Sequence, residues 1–306
     1  MPKKVATSTA SWTSKSKTRW LFIDNAEVRE FLAEFVGTAL LIALGNGSVA
    51  QQVLSRGRMG NPLSIHLGYG LAVMMAVYAS GGVSGGHLNP AISLAMTSLC
   101  RLSPLKCCVY TLAQLLGAIF GSACLYAVYY DALTDYDGGI RYTEGVNATA
   151  GIFSTFPQPF LTVGCGLADQ IFSTSILCLM VLAITDPRNM NPHRGLVPFL
   201  VGLVVTSLGL SFGFNCGYAM NPARDLGPRI FTACAGWGVN VFSFNNYKWF
   251  WIPIVGPYIG AILGAFCYQL TIGYHWPEVE KSEKLVAATG KGGDSSQKEA
   301  IISQEA

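Results

Sequence analysis

Five stretches of this chain, residues 35–55, 59–100, 107–130, 195–223 and 249–277, contain no Asp, Glu, Lys or Arg. A helix needs about 20 apolar residues to cross the hydrocarbon core of a bilayer. Windows of this length therefore favour membrane passes, in which each backbone polar group is satisfied inside the segment. Overall 51% of residues are hydrophobic and 12% charged, against about 25% charged in an average soluble domain. The 306 residues could form two soluble domains, but several helical passes explain the windows better. The formal net charge of +3 is small and its basic residues scattered, so phosphate neutralisation and a nucleic-acid partner are excluded. The nine cysteines lie mostly in apolar runs without CxxC or Cys/His spacing. Neither a disulfide scaffold nor a metal site is indicated, no cofactor is implied, and buried free thiols are expected.

Membrane helices are expected near 28–50, 63–83, 105–130, 166–186, 196–214 and 249–273, giving a membrane domain at 28–273. Its halves run from about 28 to 130 and from 166 to 273, joined by a connection at 131–165. An even number of passes puts both termini on one side. The N-terminal tail 1–27 is rich in Lys, Ser and Thr, without the apolar core and cleavage site of a removable signal. The C-terminal tail 274–306 is too charged and Gly/Ser-rich to pack. Basic residues cluster with these tails, whereas the 131–165 connection is acidic. The positive-inside rule then predicts cytoplasmic termini and an extracellular connection, with Arg56 and Arg58 as exceptions. That connection carries the glycosylation acceptor Asn147-Ala148-Thr149. Absence of a retention sequence makes the plasma membrane the expected location. Gly117-x3-Gly121 and Gly256-x3-Gly260-x3-Gly264 are small-residue faces for close helix packing in lipid.

Asn-Pro-Ala occurs twice, in SGGHLNPAISLAM at 84–96 and NCGYAMNPARDLGPR at 215–229, after the second and fifth expected helices. Three helices separate the copies, and an odd number inverts topology, which marks an inverted repeat. In each copy the Asn suits an N-cap, the Pro the first helical position, and the Ala an early helical turn. The following segments, 91–99 and 223–235, are too short to span, so each is expected to enter halfway from opposite sides. Their Gly-rich lead-ins would present backbone carbonyls to a wet cavity, where irregular backbone is tolerated at membrane depth.

With Asn89-Pro90-Ala91, Asn221-Pro222-Ala223 and the run Ala223-Arg224-Asp225 in hand, the chain resembles the aquaporin superfamily over 28–273. The Asp after the second motif and the Phe231-Thr232-Ala233 run resemble the animal aquaglyceroporin branch. The resemblance implies an all-α membrane fold of six helices and two re-entrant half-helices, assembled as a homotetramer in the bilayer. It implies a passive channel for water, glycerol and other small neutral solutes, not an enzyme. Asn89 and Asn221 would donate to passing oxygens, while two half-helix N-termini of about +0.5 charge each oppose cations and hydronium. Arg224, matched by Ile92 in the first copy, would form an outer filter with Tyr69, Tyr218 and Gly209. Gly209 stands where water-selective relatives carry a bulky His, so the lost volume should admit glycerol. Tyr69 stands where glycerol channels usually carry Trp or Phe, and its hydroxyl needs a partner. Carbonyls of Gly85, Gly86, His87 and Leu88, and of Gly217, Ala219 and Met220, would form a polar stripe. Glu34, Gln170 and Asp225 would be supporting residues.

Two other readings fit parts of the pattern. A water-selective channel with little glycerol flux is kept open by Tyr69. An inverted-repeat secondary transporter would need midplane carboxylates or His, and only Glu34 and Asp169 are available, both near helix starts. An enzyme would need a nucleophile, base or metal constellation, which the separated His66, His87, His193 and His275 do not offer.

Overall fold

A computed structural model describes residues 22–276, and the tail expectations for 1–27 and 274–306 fall largely outside them. Six long helices carry the fold: α1 (Ala26–Leu54), α2 (Pro62–Ser80), α4 (Pro104–Val128), α6 (Val163–Thr185), α7 (Val197–Cys216) and α10 (Ile252–Tyr268). All six are long and apolar enough to cross a membrane, α10 when its continuation to Gly273 is included. Polar caps set several starts. Asn25 accepts from the N–H groups of Glu27 and Val28, Asn61 and Ser64 form a reciprocal box before α2, and Ser103 precedes Pro104.

Two short helices begin at the repeated motif. Helix α3 (Pro90–Ser98) has 9 residues and α8 (Pro222–Thr232) has 11, so they are about 14 and 16 Å long, half a hydrocarbon core. Helix α8 ends before the expected residue 235. There it loosens into a wider π turn at Ala233–Trp237, and Gly236 takes a φ of 117°, a backbone conformation open to Gly and to few other residues.

The packing has the symmetry of the repeat. Helix α1 packs on α2 and α4, α6 packs on α7 and α10, and α2 meets α7 between the halves; α3 and α8 each lie against both α4 and α10. Glycines set the closest crossings. A Cβ at Gly121 would stand 2.5 Å from the Ala39 carbonyl oxygen, and one at Gly264 2.1 Å from that of Ser175. The expected small-residue faces therefore meet backbone rather than a ligand.

The exterior, unlike that of a soluble protein, is apolar. Leu32, Val36, Leu40 and Leu44 form an exposed row along α1, and Leu63, Leu67, Leu71 and Met75 one along α2. Spacing by four puts each row on a single helix face, as lipid contact requires. Glu34, Asn46, Gln114, Gln170, Asp225 and Arg229 are buried instead. The cysteine expectation needs correction, since Cys178 and Cys216 alone are buried and six of the nine are exposed. In a chain whose outer faces are apolar, a thiol inside an apolar run lies on the outer face as readily as in the core.

The 131–165 connection has structure of its own. Helix α5 (Tyr130–Asp137) opens it, and Arg141 pairs with Asp137 at 2.6 Å over the rings of Tyr126 and Trp237. Thr149 is buried, donating to Asp137 and accepting from the Trp237 indole N–H at 3.2 Å. The Asn147-Ala148-Thr149 tripeptide thus has a packing role as well. A short kinked segment, α9 (Asn240–Tyr247), follows the second half-helix on the same side.

Candidate functional site

The two half-helix starts meet in the middle of the molecule. Asn89 caps α3 by accepting from the Ala91 N–H at 2.9 Å, and Asn221 caps α8 by accepting from Ala223 at 3.0 Å and Arg224 at 3.1 Å. Pro90 and Pro222 take the first helical positions, where no N–H is needed. With the side-chain oxygens used as caps, the amide nitrogens point across the repeat. Asn89 donates to the Met220 carbonyl at 2.8 Å, and Asn221 donates to the Leu88 carbonyl at 2.7 Å. Each NH2 has two hydrogens, so one remains on each Asn for a passing oxygen.

Leu88 and Met220 are held at φ of 54° and 48°, a conformation that costs a non-Gly residue about 1–3 kcal/mol. Their N–H groups are gripped from behind. Glu34 accepts from Leu88 N at 2.7 Å, His87 N at 2.9 Å, Ser84 Oγ at 2.6 Å and Gln114 Nε2 at 2.8 Å. In the second half, Gln170 accepts from Met220 N at 3.0 Å, while Asp169 accepts from Asn215 at 2.8 Å. One carboxylate in the first repeat is answered by a neutral amide and a displaced carboxylate in the second.

A cavity of about 250 Å³ runs along this junction. It extends from Thr185 and Val197, at the end of the fold where α1 begins, past Asn89 and Asn221 to Tyr69, Tyr218 and Arg224. Gly85, Gly86, His87, Leu88, Ala219 and Met220 line it together with apolar side chains such as Val73, Leu177, Val181 and Val205. A solute that carries both hydroxyls and carbon would find polar and apolar surface in it. Gly217, expected on the polar stripe, does not line the cavity. It is the left-handed C-cap of α7, with φ 77° and its N–H on the Gly213 carbonyl.

The end of the cavity beyond Asn221 combines both halves. Arg224 is buried, donates through Nη1 to the Phe153 carbonyl at 3.1 Å and through Nη2 to the Tyr69 hydroxyl, and lies over the Tyr69 ring at 4.8 Å. The rings of Tyr69 and Tyr218 meet edge to face with centroids 6.0 Å apart. Gly209 belongs to the expected filter but is not on its surface. A Cβ there would stand 2.8 Å from both Tyr218 Cζ and His66 Nδ1. The volume that Gly209 gives up is therefore filled by two rings.

Asp225 lies behind this end of the cavity and does not line it. It accepts from the Thr155 N–H at 2.7 Å, from the Thr155 hydroxyl and from Arg229 Nε at 2.9 Å. Arg229 returns to the Thr155 carbonyl at 2.6 Å, which fixes the segment that supplies the Phe153 carbonyl. Both charges are fully buried, and removing one partner of such a pair costs about 3–5 kcal/mol. The sequence expectation did not include Asn46, His66, Phe153 or Thr155. Asn46 was detectable as an amide within an apolar run, whereas the Phe153 carbonyl has no signature in side-chain identity.

The model of the major intrinsic protein family matches residues 22–268. The chain is 49% identical over 277 residues to aquaporin-9 of Homo sapiens, covering 90% of this chain and 94% of that protein. It is 54% identical over 277 residues to aquaporin-10 of Milnesium tardigradum, covering 86% of this chain and 68% of that protein. The X-ray structure of the aquaglyceroporin from Plasmodium falciparum superimposes with a TM-score of 0.73 at 32% identity, covering 80% of this chain and 97% of that one. A match over nearly the whole helical region, six apolar helices and two half-helices meeting at paired Asn-Pro-Ala starts place this multi-pass membrane protein in the major intrinsic protein family.

Proposed function

We infer that this chain is a passive channel for water and glycerol. The carrying observation is the paired Asn89 and Asn221, each held by its own cap and the opposite carbonyl with one N–H left over, inside a cavity lined by both motif lead-ins and apolar side chains. A solute oxygen entering the middle exchanges water for two fixed amide donors, and its carbon side rests on Val and Leu. The positive ends of α3 and α8 point at the same place, and Arg224 adds a permanent charge at the constriction. Together they oppose cations and hydronium while neutral solutes pass. None of these groups forms a nucleophile and base pair, so the reading is transport without catalysis.

The partners in this reading are water, glycerol, the bilayer and further copies of the chain as a homotetramer, each copy with its own lumen. The basic residues of both tails support cytoplasmic termini and an extracellular 131–165 connection, with the plasma membrane as location. Asn147, partly exposed in that connection, is then the glycan acceptor, tested by whether glycosidase changes its electrophoretic mobility. Stopped-flow light scattering of proteoliposomes tests the channel itself. Fast water efflux and fast glycerol-driven reswelling, both independent of sodium and proton gradients, are expected. Water flux without glycerol would replace the reading by a water-selective channel, and gradient-dependent uptake would replace it by a transporter.

A further inference from the structure

Asn46 lies within an apolar stretch of α1, is fully buried and does not line the cavity. A buried amide in such a place is costly unless both its ends are paired, and here both ends lead to the constriction. Its Nδ2 donates to the Phe153 carbonyl at 3.0 Å, and its Oδ1 accepts from the Tyr69 hydroxyl. The same carbonyl and the same hydroxyl are the two acceptors that hold Arg224. Asn46, Tyr69, Arg224 and the Phe153 carbonyl therefore close into a ring of four hydrogen bonds.

The directions within this ring are fixed by chemistry. A carbonyl only accepts, so the amide nitrogen of Asn46 faces Phe153 and its oxygen faces Tyr69. The guanidinium only donates, so the Tyr69 oxygen accepts from Arg224 and its proton turns to Asn46. The hydroxyl is thereby occupied in both roles and withdrawn from the solute. The residue before Asn46 adds a steric seat, since a Cβ at Gly45 would stand 2.5 Å from Tyr69 Cε1 and 2.7 Å from Cδ1. Helix α1 thus supplies a seat for the ring and a latch for its hydroxyl.

We propose that Asn46 is a specificity-determining positioning residue of the channel, which holds Tyr69 against α1 so that the phenol presents an apolar face to the lumen and leaves the remaining Arg224 donors to the solute. The proposal rests on the water and glycerol reading above. Without Asn46 the Tyr69 proton must find its acceptor in the lumen, and the ring is free to leave the Gly45 seat. Glycerol, which needs both the width and the apolar face, suffers more than water.

The test measures water and glycerol permeability of proteoliposomes carrying the wild type, Asn46→Ala, Tyr69→Phe and the double variant, with detergent melting as a separate readout. Wild type passing both solutes keeps the channel reading independent of the variants, and wild type passing no glycerol would fail that reading. Asn46→Ala is expected to lower the glycerol-to-water ratio by about fivefold, the equivalent of one ordinary hydrogen bond. In the Tyr69→Phe background the same change is expected to have little further effect, because the hydroxyl it serves is gone. Asn46→Ser, with a polar group too short to reach both partners, carries the same test if Asn46→Ala does not accumulate. An unchanged ratio with lowered melting, or fully additive effects on the ratio, would overturn the proposal and leave Asn46 a residue of the fold alone.

Discussion

The amide of Asn221 reaches across the centre of the molecule to the carbonyl of Leu88 at 2.7 Å, from one half of the repeat to the other. Its oxygen meanwhile caps its own half-helix. These two duties are separable. Asn221→Asp keeps an acceptor for the Ala223 and Arg224 N–H groups but has no proton for Leu88 or for a solute. A folded protein with water and glycerol permeability both lowered by about tenfold, a barrier rise near 1.4 kcal/mol, is the expected outcome in stopped-flow measurements. Undiminished flux of both solutes would mean that the amide protons are not part of the path.

Gly209 yields a different kind of prediction because its influence on the lumen is indirect. A methyl group there would meet Tyr218 Cζ and His66 Nδ1, each at 2.8 Å. The His66 ring is itself tied to the Tyr218 hydroxyl at 3.0 Å, so the two rings shift together. The lumen is the open side. Gly209→Ala should push Tyr218 toward it and reduce glycerol permeability severalfold more than water permeability, with melting lowered by the ordinary cost of overpacking, about 1–3 kcal/mol. Equal reduction of both fluxes would show that Tyr218 does not set the width.

Glu34 and Gln170 occupy matching places but do not share a chemistry. Glu34 Oε1 accepts from Ser84 and His87, and Oε2 from Leu88 and Gln114. Glu34→Gln turns one of these oxygens into a donor facing two donors, and each buried group left unpaired costs about 1–3 kcal/mol. Melting in detergent is expected to fall by several degrees. The reciprocal Gln170→Glu brings a carboxylate beside Asp169, whose Oδ1 now accepts from Gln170 at 3.2 Å. Neither isosteric exchange should be neutral, and a wild-type melting point for Glu34→Gln would show that the brace carries no load.

The parts legible in the sequence are those written in side-chain identity. Charge-free windows fall on five of the six long helices, since crossing lipid constrains composition directly, and α6, which carries Asp169, lies outside them. Asn-Pro-Ala gives both half-helix starts, because cap and first-turn Pro are local requirements. The rest depends on backbone from distant segments. Asn46 pairs with a carbonyl 107 residues away, and no periodicity announces which carbonyl of the long connection docks there. Gly209 shows the opposite limit. An absent side chain can be recognised in the sequence, but what fills the space it leaves is decided by His66 and Tyr218 from elsewhere.

Acid sensitivity is expected at the end of α6, outside the spanning segments. Asp186 is buried and accepts from Arg188 Nη2 at 2.8 Å, Arg188 Nε at 3.0 Å and the Tyr268 hydroxyl at 2.9 Å. The Arg188 guanidinium hydrogen bonds hold its carboxyl well below the usual carboxylate range, against the opposing effect of burial. A carboxyl whose pKa is depressed on folding contributes stability that is fully present above its unfolded value of about 3.9 and is lost as pH falls from there toward the folded value. Melting measured from pH 6 down to pH 3 should therefore be level at first and then decline below about pH 4. Asp186→Asn should lie below the wild type at pH 6 and show a shallower acid decline, so that the two curves converge. Parallel curves across this range would show that the Asp186 charge contributes nothing to the acid limb.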